Sequence, residues 1–391
     1  QASIAATAND GSGVDTLSEL RLVVAGAVAL AGPAADLISN YDGNNTAPTV
    51  STYADIGVSD VTVDNLDAIN ALIAPLDATA TDSTAEVQAL VDAMNGVLAG
   101  AAGTAGEPTL ADLTTLGITD VTADNLAAVQ AAIAATLDNG TEVDTLVELQ
   151  GVIDGISGAA ATIANYDGSN TPPTAADYAA IGVTGVTDPG NLTSVNDAIA
   201  SLDSDATNTP AEVQSVVDAL AGVQDAAIND TAGEPTLADL TALGITGVNA
   251  ENLATVQAAI VAQADGTTVD TIAELQGVVD AVTVPMATIA AYDGNNTAPT
   301  AADYTAIGVT GVTDPGNLAA VNDAMASLAS DATDSTVEVQ TVVDAVVGVL
   351  DAAINDTAGE PTLADLTALG ITGVTADNLD AVQAAIVAQA D

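Results

Sequence analysis

Residues 234–248 read EPTLADLTALGITGV, and residues 360–374 repeat the same letters without a change. Residues 107–121 differ from that stretch only at Thr115 and Asp120. A looser form of the phrase, which runs from Pro-Thr to a closing glycine, recurs at Gly57, Gly117, Gly182, Gly244, Gly308 and Gly370. Self-similarity at a regular spacing is the signature of a repeat architecture. The chain therefore consists of copies of one unit.

The spacing of these glycines indicates that the copies come in pairs. Gly57 and Gly182 are 125 residues apart, and Gly244 and Gly370 are 126 apart, so that alternate copies agree better than neighbours. We accordingly divide the chain into an N-terminal segment, residues 1–14, and six copies numbered 1 to 6. Their ranges are 15–78, 79–139, 140–203, 204–265, 266–329 and 330–391.

Each copy contains signals for a long, a short and a medium helix, in that order. The long helix opens with a capping box, Ser/Thr-x-x-Glu, in which side chain and backbone at the helix start satisfy each other. The boxes are Thr16/Glu19, Ser83/Glu86, Thr145/Glu148, Thr209/Glu212, Thr271/Glu274 and Ser335/Glu338. Apolar residues follow at a period of 3.6, which is typical of amphipathic helices and not of strands.

The other two helices have their own start and stop signals. Thr109 is predicted to cap a short helix that ends at Gly117, and Thr122 to cap a medium helix with Val129 and Ile133 on one face. Long helices of copies 1, 3 and 5 are predicted to be longer than the others, because more residues separate their capping Glu from the next Pro-Thr. Pro33 and Pro285 are expected to kink or break two of them.

Tyrosine marks the short helices of the odd copies. Tyr53, Tyr178 and Tyr304 occupy the place that Leu113, Leu240 and Leu366 take in the even copies. Because leucine replaces tyrosine there, we expect a half-buried packing position and not a platform for a ligand.

These signals predict an all-α fold, an elongated tandem array of six short three-helix units that form three pairs of about 126 residues. The last medium helix keeps the apolar stripe Leu379, Val382 and Ile386, with no polar repeat after it. We therefore expect a partner in the form of the chain itself, either a head-to-tail homopolymer or continuing repeats of a longer chain.

Composition excludes several classes of function. The chain has 54 acidic residues against one base, Arg21, and a formal charge of -53, which excludes nucleic acid as a partner. It has no His and no Cys, so nucleophilic catalysis has little to work with, and we expect no enzyme and no required cofactor. The stretch 22–38 contains Gly, Pro and Asp and is too short to span a bilayer, so no membrane insertion is expected.

Charged residues make up only 14% of the chain, below the ordinary level of about 25%. The absence of lysine is therefore the more unusual feature of the composition, and the number of acidic residues is the less unusual one. This balance favours an extracellular or cell-surface location, where a chain without basic residues resists many proteases; intracellular halophily is the alternative.

Three Asp-Gly turns are candidate calcium sites. Their oxygen-bearing residues are Asp42, Asn44, Asp167, Asn170, Asp293 and Asn295. Asp and Asn oxygens are ligands that Ca²⁺ prefers, but the full EF-hand loop pattern is missing. The alternative is a plain turn, since Asp-Gly and Asn-rich runs form turns in any case.

The phrases PTAADYAAIGVTGV (173–186) and EPTLADLTALGITGV (234–248), with the Thr/Asp/Ala/Val bias, resemble the repeat regions of large secreted bacterial surface adhesins and extracellular fibre proteins. The resemblance implies a spacer, an adhesive stalk or a biofilm matrix fibre. We therefore expect an extracellular structural repeat protein that forms a stalk or a head-to-tail fibre at the bacterial surface. The alternatives are a surface-layer lattice protein and a carbohydrate- or ice-binding module.

Overall fold

The computed structural model describes residues 21, 32–104, 107–136, 143–228, 233–263, 268–313, 315–354 and 359–389. Over these ranges the protein is built from helices and turns and contains no strand, which confirms the all-α prediction.

The helices recur in the order short, medium, long after an opening helical segment at residues 32–39. The short helices are α1 (Val50–Asp55), α4 (Leu110–Thr115), α7 (Ala175–Ala180), α10 (Leu237–Ala242), α13 (Ala301–Ala306) and α16 (Leu363–Ala368). The medium helices are α2 (Leu66–Ile73), α5 (Leu126–Ala134), α8 (Leu192–Ala200), α11 (Leu253–Val261), α14 (Leu318–Ser327) and α17 (Leu379–Val387). The long helices are α3 (Thr84–Ala101), α6 (Leu146–Ala164), α9 (Pro210–Ile228), α12 (Ile272–Ala290) and α15 (Thr336–Ile354). Short 3-10 turns precede three of the long helices at Ala78–Ala80, Ser204–Ala206 and Ser330–Ala332.

The short helices start and stop as predicted. The Thr109 hydroxyl accepts a hydrogen bond from the backbone N–H of Asp112 at 3.2 Å, and an Asp112 carboxylate oxygen accepts the N–H of Thr109 at 2.8 Å. Gly117 then adopts a φ of 75°, a left-handed conformation that glycine reaches without steric cost. This reciprocal cap sets the direction in which the chain enters each short helix.

The medium helices begin later than predicted. The helix predicted to start at Thr122 starts at Leu126, with Asn125 as its N-cap. The side chain of Asn125 accepts the N–H of Thr122 at 2.8 Å and donates to the carbonyl of Asp120 at 2.8 Å. The hydrogen bonds of the Asn125 side chain therefore close the loop and do not cap the helix.

The described long helices begin next to their predicted capping residues but do not have the predicted lengths. The Ser83/Glu86 and Thr271/Glu274 boxes are formed in both directions, whereas Thr16/Glu19 lies outside the described residues. The prediction of longer helices was wrong for copies 3 and 5, because α6 and α12 have 19 residues, as do α9 and α15, while most of the copy 1 segment lies outside the described residues. The additional residues form the Asp-Gly turns instead.

Pro285 was predicted to kink or break its helix, and the break was wrong, whereas a kink stays a prediction. Helix α12 runs without interruption from Ile272 to Ala290 with Pro285 inside it. Pro33 lies in the described helical segment 32–39, and the residues before it, 22–31, are outside the described ranges.

The chain forms two compact units. One comprises Gln1–Tyr166, Asn170–Val186 and Thr207–Ala211, and the other Asp167–Ser169, Thr187–Ala206 and Glu212–Asp391. In the first unit, Ile38, Tyr53, Ile69, Val87 and Val91 form one fully buried cluster. Because these residues come from the helical segment 32–39, from α1 and α2 and from α3, the core joins copies 1 and 2.

One loop position generates a stability prediction. Asp120 has a φ of 63°, whereas Gly247 and Gly373 hold the matching place in other copies at 85° and 82°. A non-glycine residue in this left-handed region costs about 1 kcal/mol. We expect Asp120→Gly to raise the free energy of unfolding by up to about 1 kcal/mol, measured by urea unfolding.

The reverse substitution is the matched control. Gly247→Asp should lower stability, since a Cβ at Gly247 would also lie 3.3 Å from the Thr283 hydroxyl. A gain from Gly247→Asp would contradict the assignment of strain to this position.

Candidate functional site: the junctions between copies

The long helix of one copy packs against the short and medium helices of the copy before it. Helix α3 contacts α2 behind it and α4 and α5 ahead of it, and α12 contacts α11 behind it and α13 ahead of it. On α12, Leu275, Val279, Val282, Met286 and Ile289 are buried. Helices α3 and α12 are therefore each shared between two neighbouring copies.

A glutamine on the long helix bonds the backbone of the preceding copy. Gln276 accepts the N–H of Thr246 at 3.0 Å and donates to the carbonyl of Thr246 at 3.2 Å. The same two-way contact joins Gln88 to Ser59, Gln150 to Thr119 and Gln340 to Thr310. We call this contact the glutamine clamp.

An aspartate one turn further along holds each clamp in place. Gln276 donates to the carboxylate of Asp280 at 2.7 Å, and Gln88 donates to that of Asp92 at 2.7 Å. A side chain fixed at both ends loses less freedom when it binds, which strengthens the contact. The clamp was not anticipated from the sequence, although its signal is present: a Gln lies five residues after the capping Ser or Thr in copies 2 to 6.

A second junction contact lies at the start of the long helix. The carboxylate of Asp197, on α8, accepts the N–H of Ile272, the first residue of α12, at 3.0 Å. The hydroxyls of Thr255, on α11, and Thr336, on α15, lie 2.7 Å apart. In each case a medium helix contacts the long helix two places further along the chain, so that consecutive junctions touch.

Pairs of carboxyl groups accumulate at these helix starts. The pKa of Asp270 is raised by partial burial and by the neighbouring carboxylates of Glu274 and Asp197. The pKa of Glu274 is lowered, chiefly by its hydrogen bond from the Thr271 hydroxyl. Asp82/Glu86, Asp144/Glu148 and Asp334/Glu338 include an aspartate whose pKa is raised in the same way. Electrostatic repulsion between an Asp and a Glu side chain is thus present at the start of most of the described long helices.

The tyrosines of the short helices are fully buried, whereas the sequence predicted half-buried positions. Tyr53, Tyr178 and Tyr304 are each 0% exposed. Burial raises the pKa of all three phenols. The prediction that they form no ligand platform is consistent with this geometry, because a buried ring presents no face to a ligand.

The hydroxyls of Tyr304 and Tyr53 each bond the side chain of a buried asparagine. The Tyr304 hydroxyl donates to the amide oxygen of Asn322 at 2.7 Å, and the amide nitrogen of Asn322 donates to the carbonyl of Pro299 at 2.9 Å. Tyr53 and Asn70 repeat the arrangement with Pro48. Each asparagine thereby holds the Pro-Thr phrase against the medium helix.

The even copies reach the same proline with a different pair. Leucine replaces the tyrosine, and Gln257 donates to the carbonyl of Pro235 at 3.0 Å. Gln130 and Gln383 bond Pro108 and Pro361 in the same way. Glutamine has one more methylene than asparagine, and it needs no phenol as a partner. The Tyr and Asn pair of the odd copies and the Leu and Gln pair of the even copies therefore make equivalent contacts at the same two positions.

The candidate calcium residues lie on exposed turns. The Asp293 carboxylate accepts the N–H groups of Asn295 and Asn296 at 2.9 and 3.1 Å, which lowers its pKa. The Asp42 carboxylate likewise accepts the N–H groups of Asn44 and Asn45, and the Asp167 carboxylate accepts that of Ser169.

The remaining candidates also bond within their own turns. Asn44 and Asn295 donate to the carbonyls of Asp42 and Asp293, and Asn170 donates to that of Asn165. These bonds account for the turns, and calcium binding stays a prediction.

Within the described ranges, no group of three or more Asp or Glu side chains is arranged to hold a metal ion. A surface groove of about 660 Å³ lies beside α11 and α12 and is lined largely by Ala and Gly, including Ala259, Ala262 and Gly277, with Glu274 as its charged residue. Such a groove lacks the convergent polar groups typical of a binding pocket.

Two long helices, Leu146–Ala164 and Ile272–Ala290, are long and apolar enough to cross a membrane by length and composition alone. Each also supplies residues to the protein core, among them Leu149 and Ile153 in the first. The absence of membrane insertion stays a prediction.

Comparison with known proteins gave no match: no family model, no curated protein and no solved structure is similar to this chain.

The junction carboxylates generate a pH prediction. Because its raised pKa disfavours the charged form, Asp270 destabilises the folded protein at neutral pH, and this penalty is lost as pH falls through the raised pKa toward the ordinary aspartate value of 3.8. We expect Asp270→Asn to raise the melting temperature at pH 7, with the advantage vanishing in acid. Copy 4 carries Asn208 at this place, so the helix start accepts asparagine.

Asp205→Asn, at an exposed aspartate in a 3-10 turn, is the control for the general effect of lost charge. Equal gains from the two variants at pH 7 would contradict a specific role of the Asp270 junction.

The buried tyrosine generates a packing prediction. Tyr304→Phe leaves the amide oxygen of Asn322 without its donor in a buried position, so we expect a loss of about 1–3 kcal/mol in the free energy of unfolding. Urea unfolding followed by circular dichroism measures it.

The even copies supply the matched rescue. The double variant Tyr304→Leu with Asn322→Gln should be more stable than Tyr304→Leu alone, because it rebuilds the Leu and Gln pair. A double variant as unstable as the sum of its parts would contradict the exchange of the two pairs.

Proposed function

We propose that this protein is an extracellular structural repeat protein, a stalk or self-assembling head-to-tail fibre in adhesion or biofilm matrix at the bacterial surface. In this proposal its three-helix copies form an elongated array, and its partner is the chain itself. It is not an enzyme and does not bind nucleic acid.

The observation that carries the proposal is the glutamine clamp. The same contact, with distances of 2.7 to 3.0 Å for the backbone N–H, recurs at four junctions in the described part of the chain. A junction that is formed the same way each time lets copies follow one another without limit, which is what a spacer or fibre requires.

Charge and composition support the location outside the cell. With 54 acidic residues and one base, neighbouring molecules repel in low salt, so that contacts form only where apolar surfaces meet. The chain has no Cys, and its stability rests on packing and on the hydrogen bonds of the junctions.

The shape of the purified protein tests the proposal. A compact 391-residue chain would have a radius of gyration of about 21 Å. We expect small-angle X-ray scattering to give a value well above this, and negative-stain electron microscopy to reveal thin rods or fibres.

The alternatives predict other images. Two-dimensional sheets that disappear with a calcium chelator would favour the surface-layer protein and the calcium turns together. A compact particle would overturn the stalk and the fibre alike.

A further inference from the structure

The Asp-Gly turns of the odd copies differ at one position that bears on covalent modification. Copies 1 and 5 read Asp-Gly-Asn-Asn-Thr at residues 42–46 and 293–297, whereas copy 3 reads Asp-Gly-Ser-Asn-Thr at 167–171. The first two turns contain the triplet Asn-x-Thr, which begins at Asn44 and at Asn295, and the turn of copy 3 does not. Asn-x-Thr, where x is not Pro, is the acceptor sequence for N-linked glycans in secreted proteins.

Both acceptor triplets are accessible in the folded protein. All five residues of each turn are exposed, from Asp42 to Thr46 and from Asp293 to Thr297. A transferase has to enclose the acceptor asparagine and the hydroxyl two residues later, and an exposed turn between helices allows this. The two turns therefore meet the steric requirement for glycan transfer without any unfolding.

The acceptor amide is held more weakly than the asparagine next to it. The amide nitrogen of Asn295 donates to the carbonyl of Asp293 at 3.3 Å, whereas that of Asn296 donates to the carbonyl of Ala291 at 2.6 Å. The matching distances in copy 1 are 3.2 and 2.6 Å. Since N–H···O bonds are most often about 2.9–3.0 Å long, the first contact is a weak one in both copies. The second asparagine thus anchors the turn to the end of its helix, and the first presents its amide at the surface.

Copy 3 demonstrates that the turn folds without an asparagine at the acceptor position. Ser169 takes that place, and its N–H and its hydroxyl both donate to the carboxylate of Asp167, at 2.9 and 2.8 Å. The anchoring contact is kept, because Asn170 donates to the carbonyl of Asn165 at 2.7 Å. Folding of the turn therefore does not explain why the other two odd copies carry asparagine where copy 3 carries serine.

An apolar surface adjoins the acceptor turn of copy 5. A groove of about 420 Å³ is lined by Val284, Ala287, Thr288, Ala291, Asn296 and Thr297. Val284, nine residues before the turn aspartate, is 59% exposed, and copy 1 has the exposed Pro33 at that distance. Copy 3, which lacks the acceptor, has Gly158 there. Because the C–H faces of sugar rings are apolar, a saccharide on the turn would cover an aliphatic side chain that otherwise lies in water.

We propose that Asn44 and Asn295 are sites of N-linked glycosylation. The inference rests on the proposed extracellular location and names a modification of that surface. In the reaction, Nδ2 of the asparagine loses a proton to a base of the transferase and bonds to the anomeric carbon of a saccharide. The bond from that carbon to a phosphate oxygen of a lipid-linked saccharide donor breaks, and the lipid phosphate leaves with the electron pair.

The same reasoning sets these two asparagines apart from another Asn-x-Thr triplet in the described part of the chain. Asn191, which begins the triplet that ends at Thr193, is half-buried, and its amide oxygen accepts the N–H of Thr187 at 3.0 Å. Its side chain closes the loop before α8, so we expect it to stay unmodified. Further triplets begin outside the described residues, at Asn139, Asn229 and Asn355.

Glycopeptide mass spectrometry of the full chain, isolated from its native cells after separation of surface and cytoplasmic fractions, tests the inference. A protease that cleaves after glutamate places the three odd turns on separate peptides, 20–86, 149–212 and 275–338. We expect saccharide mass on Asn44 in the first peptide and on Asn295 in the third. Peptide 149–212, which includes Asn191, is expected to carry none.

Loss of the acceptor has a control within the chain. Asn295→Ser copies Ser169 and should remove all saccharide from peptide 275–338, while the saccharide on Asn44 remains. Thr297→Val keeps the asparagine and removes only the hydroxyl of the triplet, and it should cause the same loss. Urea unfolding of both variants, made without a transferase, should match that of the unmodified parent chain, which separates a lost acceptor from a misfolded turn.

Gain of the acceptor is the converse test. Ser169→Asn combined with Pro172→Ala rebuilds in copy 3 the Asp-Gly-Asn-Asn-Thr-Ala sequence of copies 1 and 5. We expect saccharide to appear on peptide 149–212 of this variant, at the new asparagine and not at Asn191.

The outcomes distinguish this inference from the proposed function. Bare peptides 20–86 and 275–338 in protein from the cell surface would overturn the inference and leave the stalk and the fibre standing. Saccharide on Asn191 of the parent chain would overturn the assignment of sites by exposure. Recovery of the chain from the cytoplasm alone would defeat the extracellular function, and the inference that rests on it as well.

Discussion

Everything in this structure depends on a long helix being shared by two copies. Its apolar stripe covers the short and medium helices of the preceding copy, while its other side supports the short helix that follows. In copy 4, for example, α12 packs on the face of α11 that carries Val256 and Ile260, both of which are 0% exposed. At roughly 25 cal/mol per Å² of apolar surface, closing that face is the main favourable term available to a chain with few aromatic residues and no disulfide.

The polar contacts of the junction fix how the helices are oriented, whereas burial of apolar surface supplies most of the stabilisation. The glutamine clamp pairs with both the N–H and the carbonyl of one residue, which only one alignment of helix and loop allows. The Asn and Gln side chains that reach the Pro-Thr carbonyls fix the short helix to the medium helix in turn. Among the described residues no buried side-chain nitrogen or oxygen lacks a partner. Small aliphatic residues can pack in many ways, and these bonds select one.

Much of the fold could be read from the sequence, since caps and stops are local. Thr109, Gly117 and the Ser/Thr-x-x-Glu boxes act on residues within one turn, and the structure places them where the pattern did. Helix length failed as a prediction because the residues counted as helix, such as Asp167 and Gly168, form a turn whose bonds compete with the helix. Tertiary packing kept Pro285 inside an unbroken α12, against its local preference. The clamp could not be predicted, because nothing local distinguishes a junction glutamine from a solvated one.

Identical junctions have a consequence for how such a chain can change over generations. Stretches such as residues 234–248 and 360–374 invite recombination, and gain or loss of a segment of about 126 residues leaves every remaining clamp with a partner of the same kind. The number of copies can then drift without a compensating substitution anywhere in the chain. The number of copies, and with it the length of the chain, is therefore the property that selection can adjust most easily in this protein.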